Sequence, residues 1–177
     1  MSKLIVVCGL PGSGKTTLAA ELSRKLHIVC LHKDAIKERL YDFLDGKTLE
    51  ESKLFGRISI QLLLAIGEDM VRNGVDIILE SPFNHPDNPK TFKRWIDEYG
   101  VEVKSIVCLV HTEERMRRMR ERPRHDAHHD QKRLELKTNF GDEDFDYECI
   151  PGRKIFLDTS VSHEEILGKA MSFLGDS

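Results

Sequence analysis

Short apolar runs and amphipathic stretches alternate along almost the whole of this chain. Residues 3–8 (KLIVVC) form a nearly continuous apolar run, the pattern of a buried strand, and residues 17–26 place apolar side chains at helical spacing. The same pair of patterns then repeats. Residues 27–32 are a second apolar run rich in β-branched residues and cysteine, followed by Asp34 and a helical stretch to about Asp45. Gly46 interrupts, and residues 48–72 carry Leu54, Ile58, Leu62, Ala65, Ile66 and Met70 at helical spacing, ending at Asn73-Gly74. Residues 75–79 predict a third strand that closes on Glu80. The Ser81-Pro82, His85-Pro86 and Asn88-Pro89 pairs bar regular structure immediately afterwards, and a helix resumes over 89–99. Strands over 101–110 and 152–158 and a closing helix over 162–174 complete the series.

Strands alternating with helices of this length imply a parallel five-stranded sheet covered on both faces, a three-layer α/β sandwich reached through right-handed crossovers. One domain over 1–177 is expected, since 177 residues bury one sizeable core and no repeat or linker divides the chain. In such a sheet the ligand lies beyond the carboxyl ends of the strands. That rule selects residues 9–16, Asp34, residues 80–84, His111, Thr112, Thr159 and Ser160.

The first of these stretches is also a motif. Residues 9–17 read GLPGSGKTT and match GxxxxGK[ST], the loop that wraps a nucleoside triphosphate. Gly9, Gly12 and Gly14 occupy positions where backbone amides approach phosphate and positive φ is needed. Lys15, expected on an exposed loop, would reach the β- and γ-phosphates, and Thr16 would offer its hydroxyl to Mg²⁺. Pro11, Ser13 and Thr17 complete the nucleotide-binding set, and the helix opening at Gly14 adds its positive end. The apolar run before the loop and the amphipathic stretch after it supply the strand-loop-helix setting that the motif requires.

Three further groups of residues suggest chemistry. Asp34, after the second strand, can take the proton of an attacking hydroxyl or orient it, and it also suits the N-cap of a helix beginning at Ala35. Glu80, ending the strand next to the loop strand, can hold Mg²⁺ through a water. Between the fourth and fifth strands an insertion over about 112–150 is crowded with Arg115, Arg117, Arg118, Arg120, Arg122 and Arg124, which Glu113, Glu114 and Glu121 do not balance. Long, polar and broken by Pro123, it reads as a cover whose arginines neutralise charge developing on a triphosphate. Arg118 and Arg122 stand one helical turn apart, and Arg124 could swing in beyond the proline. His125, His128, His129 and Asp130 have ligand chemistry without the paired spacing of a structural zinc site, and His111 reads as a packed or capping histidine.

Composition narrows the partners. A net charge of −3 and a pI near 6.2 exclude a globally basic nucleic-acid coat. A local basic groove stays open, since Lys33, Lys37, Arg39, Lys53 and Arg57 surround the expected acceptor side. Cys8, Cys30, Cys108 and Cys149 lack CxxC spacing, and the first three fall in predicted strands as small hydrophobes. With no signal-like start and no apolar segment long enough to span a bilayer, the expectation is a soluble cytoplasmic protein.

Taken in order, GLPGSGKTTLA, HKDAIKERL, IILESPF, ERMRRMRERPRH and FLDTS give the chain a family likeness over nearly its full length. It resembles the P-loop kinases of the AAA-type ATP-binding group, similar in pattern to polynucleotide 5′-hydroxyl kinase, chloramphenicol phosphotransferase, zeta toxin and gluconate kinase. The resemblance implies that Asp34 binds and activates an acceptor hydroxyl, and that Arg118 and Arg122 contact phosphates. It implies ATP and Mg²⁺ as cofactors and a phosphotransferase with an alcohol acceptor, either a small molecule or a nucleotide or nucleic-acid end, with nucleic acid the less favoured. The alternative class is an ATP-hydrolysing switch that uses no acceptor but water. Asp34 and the arginines favour the kinase, because a switch has less need of an acceptor-side carboxylate.

Overall fold

The computed structural model describes residues 1–122, 125–129 and 145–175. Its strands are β1 (Lys3–Cys8), β2 (Cys30–His32), β3 (Ile77–Glu80), β4 (Glu102–Leu109) and β5 (Arg153–Asp158), all parallel in the order β2-β3-β1-β4-β5. Around them lie α1 (Lys15–Leu26), α2 (Lys33–Phe43), α3 (Leu49–Arg72), α4 (Asp87–Tyr99), α5 (Thr112–Glu121) and α6 (His163–Gly175), with 3₁₀ turns at Asp126–His128 and Tyr147–Cys149. The expected three-layer α/β sandwich is present.

Alternation along β1 divides the core into two layers. Leu4, Val6 and Cys8 face a cluster with Leu63, Val71, Phe92 and Trp95 of α3 and α4, while Ile5 and Val7 face Leu18, Leu22, Ile166 and Phe173 of α1 and α6. The polar residue Lys104 also points into the second layer, buried, because its ammonium donates to the Leu174 carbonyl at the C-terminal end of α6 (3.0 Å).

Element boundaries differ from the apolar pattern where local hydrogen bonding intervenes. β2 is shorter than its apolar run: His27 takes a left-handed conformation (φ 56°) to end α1, and the Ser23 hydroxyl donates to the Ile28 carbonyl (2.7 Å). α4 starts at Asp87, so the Asn88-Pro89 pair lies inside its first turn, where proline's missing N–H leaves no bond unmade.

The apolar stripe of α3 is not its packed face. Buried instead are Ser52, Phe55, Ser59, Leu63, Gly67 and Val71, whereas Leu54, Leu62 and Ile66 stay 40–43 % exposed. Close approach explains the choice. A Cβ on Gly67 would stand 2.9 Å from Leu79 and 3.3 Å from Trp95, so the helix lies nearer the sheet there than a larger residue permits. Its start is fixed by a capping box, with Glu51 N–H donating to Thr48 Oγ1 (3.1 Å) and Thr48 N–H to Glu51 Oε2 (2.8 Å). Among the described residues no helix is long and apolar enough to cross a membrane.

Candidate active site

The loop between β1 and α1 is made by its glycines in two ways. Gly9, Gly12 and Gly14 have φ of 133°, 85° and 82°, so all three use backbone that L side chains rarely adopt. Packing adds a second demand. A Cβ on Gly9 would collide with the Cys108 carbonyl of β4, and one on Gly12 would stand 2.8 Å from the Arg115 carbonyl of α5. Gly14 caps α1 without any side-chain bond to the first amides, which leaves those N–H groups to an anion.

Lys15, in the first turn of α1, is buried rather than exposed, with its ammonium 3.5 Å from Glu80 Oε1. Glu80 is 2 % exposed, and its Oε2 lies 3.0 Å from Nδ1 of His32. β2, β3 and the loop are thereby tied through one carboxylate, whose charge would be left uncompensated if its partners were removed. His32 was not singled out by the sequence; only its place at the end of β2 could have marked it.

These donors suit a magnesium ion delivered with a nucleotide. Thr16 lines the cavity and the buried Glu80, 3.5 Å from the neighbouring Lys15, is a hard oxygen donor, and Mg²⁺ takes few protein ligands beside phosphate and water. Among the described residues no group of three or more His, Cys, Asp and Glu side chains could hold an ion unaided.

The opposite wall comes from α5 and the end of β5. Arg118 donates from Nε to Glu114 (2.7 Å) and from its two terminal nitrogens to the Thr159 carbonyl (2.8 Å) and hydroxyl (3.3 Å). The Thr159 hydroxyl stands 2.8 Å from the Ser13 carbonyl and 3.0 Å from that of Leu109, and donates to one at a time. Thr159 thus clamps loop, β4 and Arg118 together, a role its position after β5 allowed but did not spell.

The arginine-rich stretch is not one positive face. Arg115 is buried against Gly12. Arg117 spends its charge on Glu114 (2.7 Å) and Glu121 (2.6 Å), and Arg117 and Arg118 together hold the Glu114 carboxyl down at about 2. The acidic residues therefore do balance much of the run. Arg122 follows the last residue of α5 in extended backbone (φ −90°, ψ 118°), so helical spacing to Arg118 ends before it, although both side chains line the same cavity. Arg124 and Pro123 lie outside the described residues, as do residues 130–144 of the expected cover, Asp130 among them. His111 is exposed at the N-cap of α5 and makes no side-chain cap.

Asp34 is the second residue of α2, one position inside it, because His32 is the N-cap and the helix opens at Lys33. Its carboxylate lies 3.4 Å from the Lys33 ammonium and lines the cavity beside Ala35 and Glu38. The three histidines dock against α2 rather than gathering round a metal. His125 is 3.1 Å from Asp42, His128 2.8 Å from Glu38 and His129 3.0 Å from the Tyr41 hydroxyl, while the Ser52 hydroxyl of α3 donates to the Ala127 carbonyl (2.6 Å). Beneath them Tyr41, Phe55 and Ala127 form a small apolar cluster. Cys30 lies beside the Glu80 and His32 pair, its sulfur 4.0 Å from Nδ1 of His32, while burial pushes the Cys108 thiol up to about 12 and the Cys8 thiol likewise upward.

One cavity of about 860 Å³ joins these parts, running from Gly12, Lys15 and Thr16 to Asp34 and Glu38, with Arg118 and Thr159 opposite. Its volume is that of a site for a drug-sized ligand or larger.

Residues 4–139 match the family described as AAA domain. The chain is similar over 98 % of its length to a candidate kinase from Chloroflexus aurantiacus J-10-fl, with 26 % identity, 96 % of that chain covered and a TM-score of 0.75. It shares its fold with the APS kinase of Mycobacterium tuberculosis, solved in complex with AMPPNP and APS (18 % identity, 98 % and 97 % covered, TM-score 0.63). The same holds for a gluconokinase of Sinorhizobium meliloti 1021 (17 % identity, 98 % and 91 % covered, TM-score 0.55). No curated protein matches the chain.

Proposed function

The chain belongs to the AAA domain family, and on that premise we propose that it is an ATP-dependent kinase transferring the γ-phosphoryl group to an alcohol. The observation that carries this reading is the single cavity in which the phosphate loop and Asp34 share a wall. A loop that only binds and hydrolyses a nucleotide has no need of a second, roomy compartment with a carboxylate at its edge. The similarity to the candidate kinase and the nucleotide analogue bound by the APS kinase support ATP as donor.

In this reading Gly9, Pro11, Gly12, Ser13, Gly14 and Thr17 cradle the triphosphate with backbone amides and the N-terminus of α1. Lys15 exchanges Glu80 for the β- and γ-phosphates. Asp34 takes the proton of the acceptor hydroxyl as its oxygen bonds to the γ-phosphorus, and the bond to the β-phosphate oxygen breaks, with ADP leaving on the electron pair. Arg118, already aimed by Glu114 and Thr159, and Arg122 stabilise the charge gathering on the transferred group. Arg124 belongs to the same nucleotide-binding set. Thr16 would hold a magnesium ion directly and Glu80 would hold it through water, and the ion's charge would offset that of the phosphates.

Incubation with γ-labelled ATP and a panel of alcohols tests the reading. Label is expected on an acceptor. Label released only as inorganic phosphate, whatever alcohol is added, would make the protein a hydrolytic switch.

A further inference from the structure

The acceptor end of the cavity has a charge character unlike the triphosphate end, and a substrate class follows from it. Resting on the kinase reading above, the geometry points to an acceptor rich in hydrogen-bond donors, a neutral or amino-bearing polyol rather than an anionic alcohol, with Glu38 as the residue that selects it. Asp34 and Glu38 are four positions apart on α2 and both line the cavity, so they stand on one helix face about 6 Å apart along its axis. Ionised carboxylates only accept hydrogen bonds.

Glu38 is held in place for this. Its Oε1 lies 2.8 Å from Nε2 of His128, a side chain 4 % exposed, while its Oε2 makes no hydrogen bond to a described residue. The next residue back, Ala127, is fully buried and fixed by Ser52. A carboxylate half engaged by a buried imidazole keeps one oxygen for a ligand and keeps its direction.

The neighbouring cations are turned elsewhere. A Cβ on Gly56 of α3 would stand 3.8 Å from the Lys33 ammonium and 4.0 Å from Cε of Lys37, so both lysines lie against α3 and neither lines the cavity. Lys33 offsets Asp34 at 3.4 Å. His32 and His125, also on the wall, are each within 3.1 Å of a carboxylate, Glu80 and Asp42 respectively. Of the basic residues of the lining, Lys15 lies at Glu80 and Arg118 is held by Glu114 and Thr159, and the kinase reading assigns Arg122 with them to the phosphates. A carboxylate or phosphate on the acceptor would therefore meet Glu38 with no cation among the described residues to receive it, whereas a hydroxyl or ammonium gains a charge-assisted bond. The reacting hydroxyl goes through the transfer described above, its proton passing to Asp34; the donor on Glu38 binds without reacting.

The test compares phosphorylation by labelled ATP of uncharged polyols, amino polyols, and alcohols bearing carboxylate or phosphate, including oligonucleotide 5′-hydroxyl ends. Products are expected from the first two sets. Glu38→Gln should raise the acceptor KM about tenfold or more with ATP affinity unchanged, and Glu38→Lys should move the preference toward anionic alcohols. A higher kcat/KM of the wild-type protein on an anionic alcohol overturns the inference and leaves the kinase standing, as does an unchanged acceptor KM in Glu38→Gln. ATP bound but no member phosphorylated overturns the kinase reading and this inference with it.

Discussion

The two ends of the cavity are built on different principles. At the triphosphate end, the consecutive residues 3–17 supply nearly everything: a strand, three glycines at positive φ, a lysine and the open N-terminus of α1. At the acceptor end the wall comes from β2, α2 and residues 125–129, held together by His128 on Glu38 and Ser52 on Ala127, contacts that span 90 and 75 positions. The difference is one of ligand chemistry. A phosphate is recognised by backbone amides, which any sequence of the right shape presents, whereas an acceptor is distinguished by side chains, which only tertiary packing can bring together.

Substitutions at either end should separate the two. Asp34→Asn is expected to lower transfer by about two to four orders of magnitude while ATP affinity and acceptor-free hydrolysis change little. Calorimetry and both rates on the one variant measure this, and three wild-type values would leave Asp34 without a part in the chemistry. Lys15→Ala should act on the other end, weakening ATP by about tenfold to a hundredfold, the range for a hydrogen bond to a charged group. Because Lys15 is buried against Glu80, a loss of thermal stability should accompany it. An unaltered ATP affinity would remove the lysine from the nucleotide site.

Smaller effects test what holds the acceptor wall. Ser52→Ala deletes the bond to Ala127 and should cost about 1 kcal/mol of stability, seen as a lowered Tm, with a raised acceptor KM and an unchanged ATP affinity. An unchanged acceptor KM would show that residues 125–129 hold their place without Ser52.

The least effect is expected between α3 and α4, remote from both ends. There Arg94 grips Glu68 with two bonds of 2.7 Å and holds its carboxyl down from 4.5 to about 2. A depressed carboxyl stabilises above its unfolded value and loses that contribution as pH falls through the folded one. The Tm gap between wild type and Glu68→Gln should accordingly close between about pH 5 and pH 2. A gap independent of pH would mean that the pair contributes nothing as an ion pair.

Much of the fold was legible because strand and helix periods are local properties. β1, β4 and β5 appear within about a residue of their apolar runs, and the alternation alone implied parallel strands in three layers. The misreadings share a cause. On α3 the apolar stripe and the buried face differ because the nearness of Leu79 and Trp95 favours glycine over leucine at position 67. The run of arginines looked like one positive surface because charges were counted along the chain, while in space Glu114 and Glu121 take Arg117.

By itself, then, the sequence determined the layered α/β architecture and the phosphate-binding loop, since both follow from residues adjacent along the chain whose backbone geometry is set by their own steric limits. Only the tertiary structure decided that Lys15 and Glu80 are buried together, that Thr159 clamps Arg118, that the histidines serve α2, and that Glu38 faces the cavity beside Asp34. Each of those depends on which distant element packs alongside, and packing is settled by shape and hydrogen-bond satisfaction across the whole core rather than by any local pattern.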